Sequence, residues 1–127
     1  MLENFRLVKE EEQNWAYDQT ACNNGGGYHQ PLRVWKFDHD GNHYEFEDND
    51  TSCGDFGRRY SKTLYLISSD GSKEEIGYFS FDQVDNWETV GYGTFRPTNL
   101  TANLIAEGLI SWNEFFMCKF MKEEEEM

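Results

Sequence analysis

Two alternating runs, Arg33-Val34-Trp35-Lys36-Phe37-Asp38 and His43-Tyr44-Glu45-Phe46-Glu47, flank the dipeptide Asp40-Gly41, and no other stretch of this chain restricts its fold so tightly. Alternation with a period of two belongs to a strand with one buried face, and Asp-Gly is a favoured two-residue hairpin turn. In the register that this turn imposes, Trp35 pairs with Phe46, Phe37 with Tyr44 and Lys36 with Glu45. The four aromatics then share one face, while Lys36, Asp38, His43, Glu45 and Glu47 share the other.

The remaining pattern extends a sheet and adds helix. Leu64, Tyr65, Leu66 and Ile67 enter, and Ile76, Tyr78 and Phe79 leave, a second hairpin spanning Thr63 to Phe81 around Asp70-Gly71. Both faces of its first strand are apolar, which places that strand centrally. A further strand is expected from about Glu88 to Phe95, ending before Pro97. From Thr98 onward Ile105, Leu109, Trp112, Phe116 and Phe120 recur at helical spacing. Gly108 suits the end of a first helix, and Ser111 with Glu114 forms a capping box for a second, with one long helix as the alternative. The run Glu123 to Glu126 should fray (residues 122–127), because carboxylates at a helix carboxyl end oppose the macrodipole. At the amino end, Leu2, Phe5, Val8 and Trp15 predict a helix within Leu2 to Tyr17, although Phe5-Arg6-Leu7-Val8 alone also reads as a strand.

These elements define one α+β domain over residues 1–127: an antiparallel sheet of four to five strands with two hairpins, packed by carboxyl-terminal helical structure. A chain of 127 residues is long enough to bury about two-thirds of the surface of its unfolded form. Its 10 Phe, 7 Tyr and 4 Trp supply the core that a hydrophobic content of 38% would otherwise leave thin. The formal net charge is −13, which disfavours direct binding of nucleic acid or of an anionic membrane. Met1-Leu2-Glu3-Asn4 is followed by no long apolar run, and the cysteines, Cys22, Cys53 and Cys118, are an odd number at wide spacing, so a reducing cytoplasm is the expected compartment.

Between Asp38 and Asp55 stand seven acids, Asp38, Asp40, Glu45, Glu47, Asp48, Asp50 and Asp55, with no Lys or Arg among them. They are the candidate partner-binding residues. Glu45 and Glu47 project the same way about 7 Å apart on a strand, a spacing comparable to neighbouring phosphates along a nucleic-acid strand. A protein surface built to grip such a backbone could therefore grip this row.

Other motifs fail on context. Asp48, Asp50 and Ser52 alternate as in a calcium loop, but Cys53 and Arg59 stand where that loop needs Gly and a bidentate Glu. Cys22, His29, His39, His43 and Cys53 lack zinc-ligand spacing, and hairpin parity sends His39 and His43 to opposite faces, so no metal site is expected. Gly25-Gly26-Gly27 is followed by no Lys and no helix before Pro31, Asp55-Phe56-Gly57 has no kinase catalytic loop to accompany it, and no cofactor is expected. Cys53 to Arg59 matches the Cys-x5-Arg phosphate loop of cysteine-dependent phosphatases in two residues, but Lys62 to Ile67 then reads as strand where that loop needs a helix. Arg58, Arg59 and Lys62, the one basic cluster, read as internal ion-pair partners of the surrounding acids.

The expected function is therefore binding and not catalysis: a small acidic inhibitor that occludes a basic, nucleic-acid-binding surface of a larger protein. Phage anti-defence proteins, anti-CRISPR proteins among them, and toxin-neutralising immunity proteins share this profile of small size and acidity, a likeness of composition that rests on no shared motif. A carbohydrate- or small-ligand-binding module is the alternative, since Trp, Tyr, Asp and Asn in a β-rich scaffold also serve sugar recognition. A Cys53-dependent phosphatase is the second alternative.

Overall fold

The structure, a computed structural model, describes residues 1–12, 31–51, 59–84 and 88–125. Six strands, β1 (Glu3–Glu12), β2 (Pro31–His39), β3 (Asn42–Asp50), β4 (Arg59–Ile67), β5 (Lys73–Val84) and β6 (Glu88–Gly93), form one antiparallel sheet in chain order. Two helices follow, α1 (Asn99–Ala106) and α2 (Trp112–Glu125). The class is the expected α+β, with six strands in place of four to five.

The additional strand is β1, where a helix was predicted. The segment pairs with β2, Leu7 opposite Trp35 and Glu10 opposite Arg33, and Phe5 tilts against Phe37 at a ring separation of 6.3 Å. Helical burial of Leu2, Phe5 and Val8 would have required a partner on that side, whereas the unpaired edge of β2 offers a full ladder of backbone hydrogen bonds. Charged residues and the register shifts around Arg6 and Lys9 blunt the new sheet edge.

The first hairpin has the register its sequence dictates: Trp35 faces Phe46, Lys36 faces Glu45 and Phe37 faces Tyr44, the last pair stacked at 5.5 Å. Asp40 and Gly41 both have positive φ, 53° and 80°, the backbone of a tight primed turn. In the second hairpin β4 lies between β3 and β5, as its two apolar faces require, and the connection closes through Ser68–Ser72, with Gly71 N–H donating to the Ser68 carbonyl.

Both helices pack on one face of the sheet, the helix face. Phe37, Phe46, Leu64 and Phe79 meet Leu104, Leu109, Ile110, Phe115 and Cys118 there. Gly108 (φ +81°) ends α1: Leu109 N–H reaches the Leu104 carbonyl and Gly108 N–H that of Ile105, the paired bonds of a Schellman motif. Ser111 and Glu114 form the expected capping box, with N–H to side-chain distances of 2.8 and 3.1 Å.

The helical stripe is rotated from its expected position. Ile105 packs at the core edge and Leu109 is buried, but Trp112 and Phe116 are 59% and 56% exposed and stack on each other. Glu114, Phe115 and Cys118 face inward instead. Inward placement of Glu114 follows from its ion pair with Lys62 of β4, and residues 100° apart on a helix must turn with it. The side chain of Phe120 lies outside the described residues. Helical backbone continues to Glu125, through acids expected to fray; the adverse macrodipole term, about 0.3–1 kcal/mol per charge, is small beside the bonds of a 14-residue helix.

Candidate functional site

Strand β3 alternates strictly, and this decides where the acids go. Tyr44 and Phe46 point to the helix face, so Asp48 and Asp50 follow them there, while Glu45 and Glu47 project from the outer face, opposite the two helices. Asp38 joins them, paired in register with His43. Asp40 occupies the turn, and Asp55 lies outside the described residues. Of the seven candidate acids, Asp38, Glu45 and Glu47 thus lie on the outer face and Asp48 and Asp50 on the helix face, so these five do not form one continuous surface.

The outer face surrounds its carboxylates with tyrosines. Across the strands Lys36, Glu45 and Tyr65 form one row, and Val34, Glu47, Thr63 and Tyr78 form the next. Lys73 Nζ lies 2.8 Å from Glu45 Oε2 and 4.8 Å above the Tyr65 ring, neutralising Glu45 and leaving its side chain only 12% exposed. Glu47 has no ion-pair partner among the described residues. Burial and then the Glu47 charge push the Tyr65 phenol above its ordinary value. Tyr78 contacts Tyr92 at 6.0 Å, and Tyr92 is half-exposed. Asp38 accepts from Asn4 Nδ2 at 2.7 Å and pairs with His43 Nδ1, bonds that hold its carboxyl below the usual range.

On the helix face a ladder of alternating charge crosses four strands: Glu10, Arg33, Asp48 and Lys62 are successive cross-strand partners. Arg33 Nε donates to Glu10 at 2.6 Å, and Lys62 Nζ donates to Glu114 Oε1 at 3.1 Å and to the Leu109 carbonyl at 2.9 Å. A cleft of about 160 Å3 opens beside them, lined by Pro31, Asp48, Asp50, Tyr60 and Glu114 together with the two cations. Burial pushes the Glu114 carboxyl up, but the Ser111 N–H and the Lys62 ammonium outweigh it and hold the group below its ordinary range.

Asp48 responds in the opposite direction. Burial raises its carboxyl, Glu114 and Asp50 reinforce this, and Lys62 and Arg33 only partly offset it. A carboxyl raised on folding binds its proton more tightly in the native state, so stability falls as pH rises from the unfolded value of about 3.9 through the native one. Asp48→Asn is accordingly expected to raise the melting temperature at pH 7, with the gain vanishing below about pH 3.9 in melts recorded from pH 7 to 3.

The other motifs resolve as follows. Arg59 opens β4 and pairs with Asp82 at 3.4 Å, so strand and not helix follows the Cys53 segment, whose residues 52–58 lie outside those described. Arg59 and Lys62 form ion pairs with Asp82 and Glu114, acids distant in sequence from the basic cluster, and Arg58 lies outside the described residues. His39 approaches Asn103 of α1 while His43 binds Asp38, confirming their separation to opposite faces. Gly25-Gly26-Gly27, Cys22 and His29 lie outside the described residues. Among the described residues no three His, Cys, Asp or Glu side chains are grouped to hold a metal, and no helix is long and apolar enough to cross a membrane.

Sequence reasoning missed the tyrosine surround and the Lys62–Glu114 pair. The i, i+2 pattern of Tyr65 beside Thr63 in β4 could have signalled the first, once β4 was set next to β3. No local signal joins positions 62 and 114. Comparison of the chain with family models, with curated proteins and with solved structures finds no match, so the functional reading rests on this geometry.

Proposed function

We propose that this protein is a small acidic binding protein that covers a basic, nucleic-acid-binding surface of a larger protein, docking through the outer face of its sheet. The observation that carries the reading is Glu47: a carboxylate without an ion-pair partner among the described residues, set in a strand row with Tyr78 and next to the row of Tyr65. Tyrosine is enriched at the centres of protein interfaces because it offers large rigid area and a polar tip, and an uncompensated charge beside it steers a cationic partner into register. The net charge of −13 supplies the longer-range attraction. Asp38 lies on the same face and Glu45 is held there by Lys73, whereas Asp48 and Asp50 line the cleft on the helix face.

Immobilised protein is expected to retain a basic protein from a lysate of its host at low ionic strength and to release it in 1 M salt, where the Debye length falls to about 3 Å. Glu47→Lys should lower retention about tenfold or more while stability changes by no more than about 0.5 kcal/mol, the range of surface substitutions. Retention that is equal for both baits would refute the assigned face. Capture of an oligosaccharide with no dependence on salt would point to the carbohydrate-binding alternative.

A further inference from the structure

A second cavity, of about 390 Å3, lies at the turn end of the sheet on the helix face, between the β2–β3 turn and the start of α1. Its floor is made by Tyr44, Leu64 and Phe95, each more than nine-tenths buried, with Leu100 of α1 at its side. The volume falls in the lower part of the range of small-molecule clefts, about 300–1,000 Å3, and an apolar floor under a few polar groups is their usual construction.

The polar rim is what gives this cavity a chemical preference. Arg96 lines it, and the Arg96 backbone is fixed by Thr98 N–H and Thr101 Oγ1, both of which donate to its carbonyl. Lys9, Arg33, Arg59, Lys62 and Lys73 each hold a carboxylate, whereas Lys36 and Arg96 have no ion-pair partner among the described residues, and of these two Arg96 lines the cavity. Asn99 and Leu100 line the same rim, and their backbone N–H groups belong to the first turn of α1, where the helix supplies no acceptor and no acidic side chain. Asn42 and His39 complete the polar side. Asp40 also lines the cavity, and its carboxylate repels a dianion such as hydrogen phosphate more strongly than a monoanion.

From this arrangement we infer that the cavity is a binding site for a small monocarboxylate with an apolar body, the body lying on Tyr44, Leu64 and Phe95 and the carboxylate held by Arg96. The site is on the opposite side of the sheet from Glu47 and does not depend on the docking reading.

Phenylacetate, phenylacetamide and inorganic phosphate, titrated separately into isotopically labelled protein and followed by amide NMR, test the assignment. Phenylacetate is expected to give saturable shifts centred on Phe95, Asn99 and Leu100, with the amide and phosphate at least tenfold weaker. Arg96→Gln, a change at an exposed side chain whose spectrum reports directly on its fold, should weaken phenylacetate about tenfold, the worth of one charge-assisted hydrogen bond, and abolish the preference for acid over amide. Arg96→Lys should retain that preference. Absence of saturable shifts, shifts centred away from these residues, or equal affinity for acid and amide in the native chain would overturn the proposal.

Discussion

Replacing Lys62 with methionine is expected to destabilise the domain by about 3–5 kcal/mol, the loss seen when one member of a buried ion pair is removed and its partner stays behind. The side chains of Lys62 and Glu114 are 14% and 9% exposed, so water from the neighbouring cleft can only partly replace the missing ammonium. The Leu109 carbonyl loses a donor at the same time, and Asp48 loses the larger of the two cationic interactions acting on it. Urea denaturation at pH 7 measures the deficit. In the native chain the lowered Glu114 carboxyl contributes stability above the unfolded glutamate value of about 4.3, and this contribution is lost as pH falls through the native value. In Lys62→Met the buried carboxylate is relieved by protonation, so the difference between variant and parent should narrow as the pH is lowered toward and below about 4.3. Adding Glu114→Gln to Lys62→Met should recover a large part of the loss, because a neutral side chain can remain buried there. A deficit that is under about 1 kcal/mol and independent of pH would show that the pair does not orient α2.

A comparable effect is expected at Gly93. A methyl group there would stand 2.4 Å from the Tyr78 carbonyl oxygen and 2.4 Å from Cys118 Sγ, and the first of these is backbone of the neighbouring strand. The side chain of Cys118 can rotate, but the carbonyl cannot leave without pulling β5 from β6, since Thr94 N–H bonds to it. Gly93→Ala should therefore cost about 3 kcal/mol, at the upper end of ordinary overpacking. Gly41→Ala makes the control: nothing lies within 4 Å of the added carbon, and only the positive φ of 80° opposes it, for about 1–2 kcal/mol. Thermal or urea unfolding of the two variants side by side distinguishes close approach from turn geometry. Equal losses would mean that β6 does not approach the Tyr78 carbonyl as closely as Gly93 allows.

These two positions also mark how far the sequence could be read. The candidate acids are legible in the sequence one at a time: the hairpin register puts Glu45 and Glu47 on one side of β3, where the structure also has them. Asp48 and Asp50 do not share a surface with Asp38, Glu45 and Glu47, because parity alone carries them to the helix face, where Asp48 stands between Arg33 and Lys62. Proximity in sequence had suggested one patch; alternation along a strand produces two. The cavity beside Arg96 has no signature in the sequence, since its walls come from β2, the turn after it, β3, β4, β5, α1 and the segment before α1.

Features determined by the sequence by itself are those with a range of a few residues: the Asp40-Gly41 turn and its pairings, the Gly108 stop and the Ser111–Glu114 cap. Each depends on backbone sterics or on bonds between near neighbours, which any context would preserve. Only the tertiary structure decided that Phe5 to Val8 extends as an edge strand, that α2 turns Trp112 and Phe116 outward, and which acids are paired. Those outcomes depend on groups far apart in the chain, β2 for β1 and Lys62 for Glu114, whose meeting is a property of the packed sheet and is invisible in local pattern.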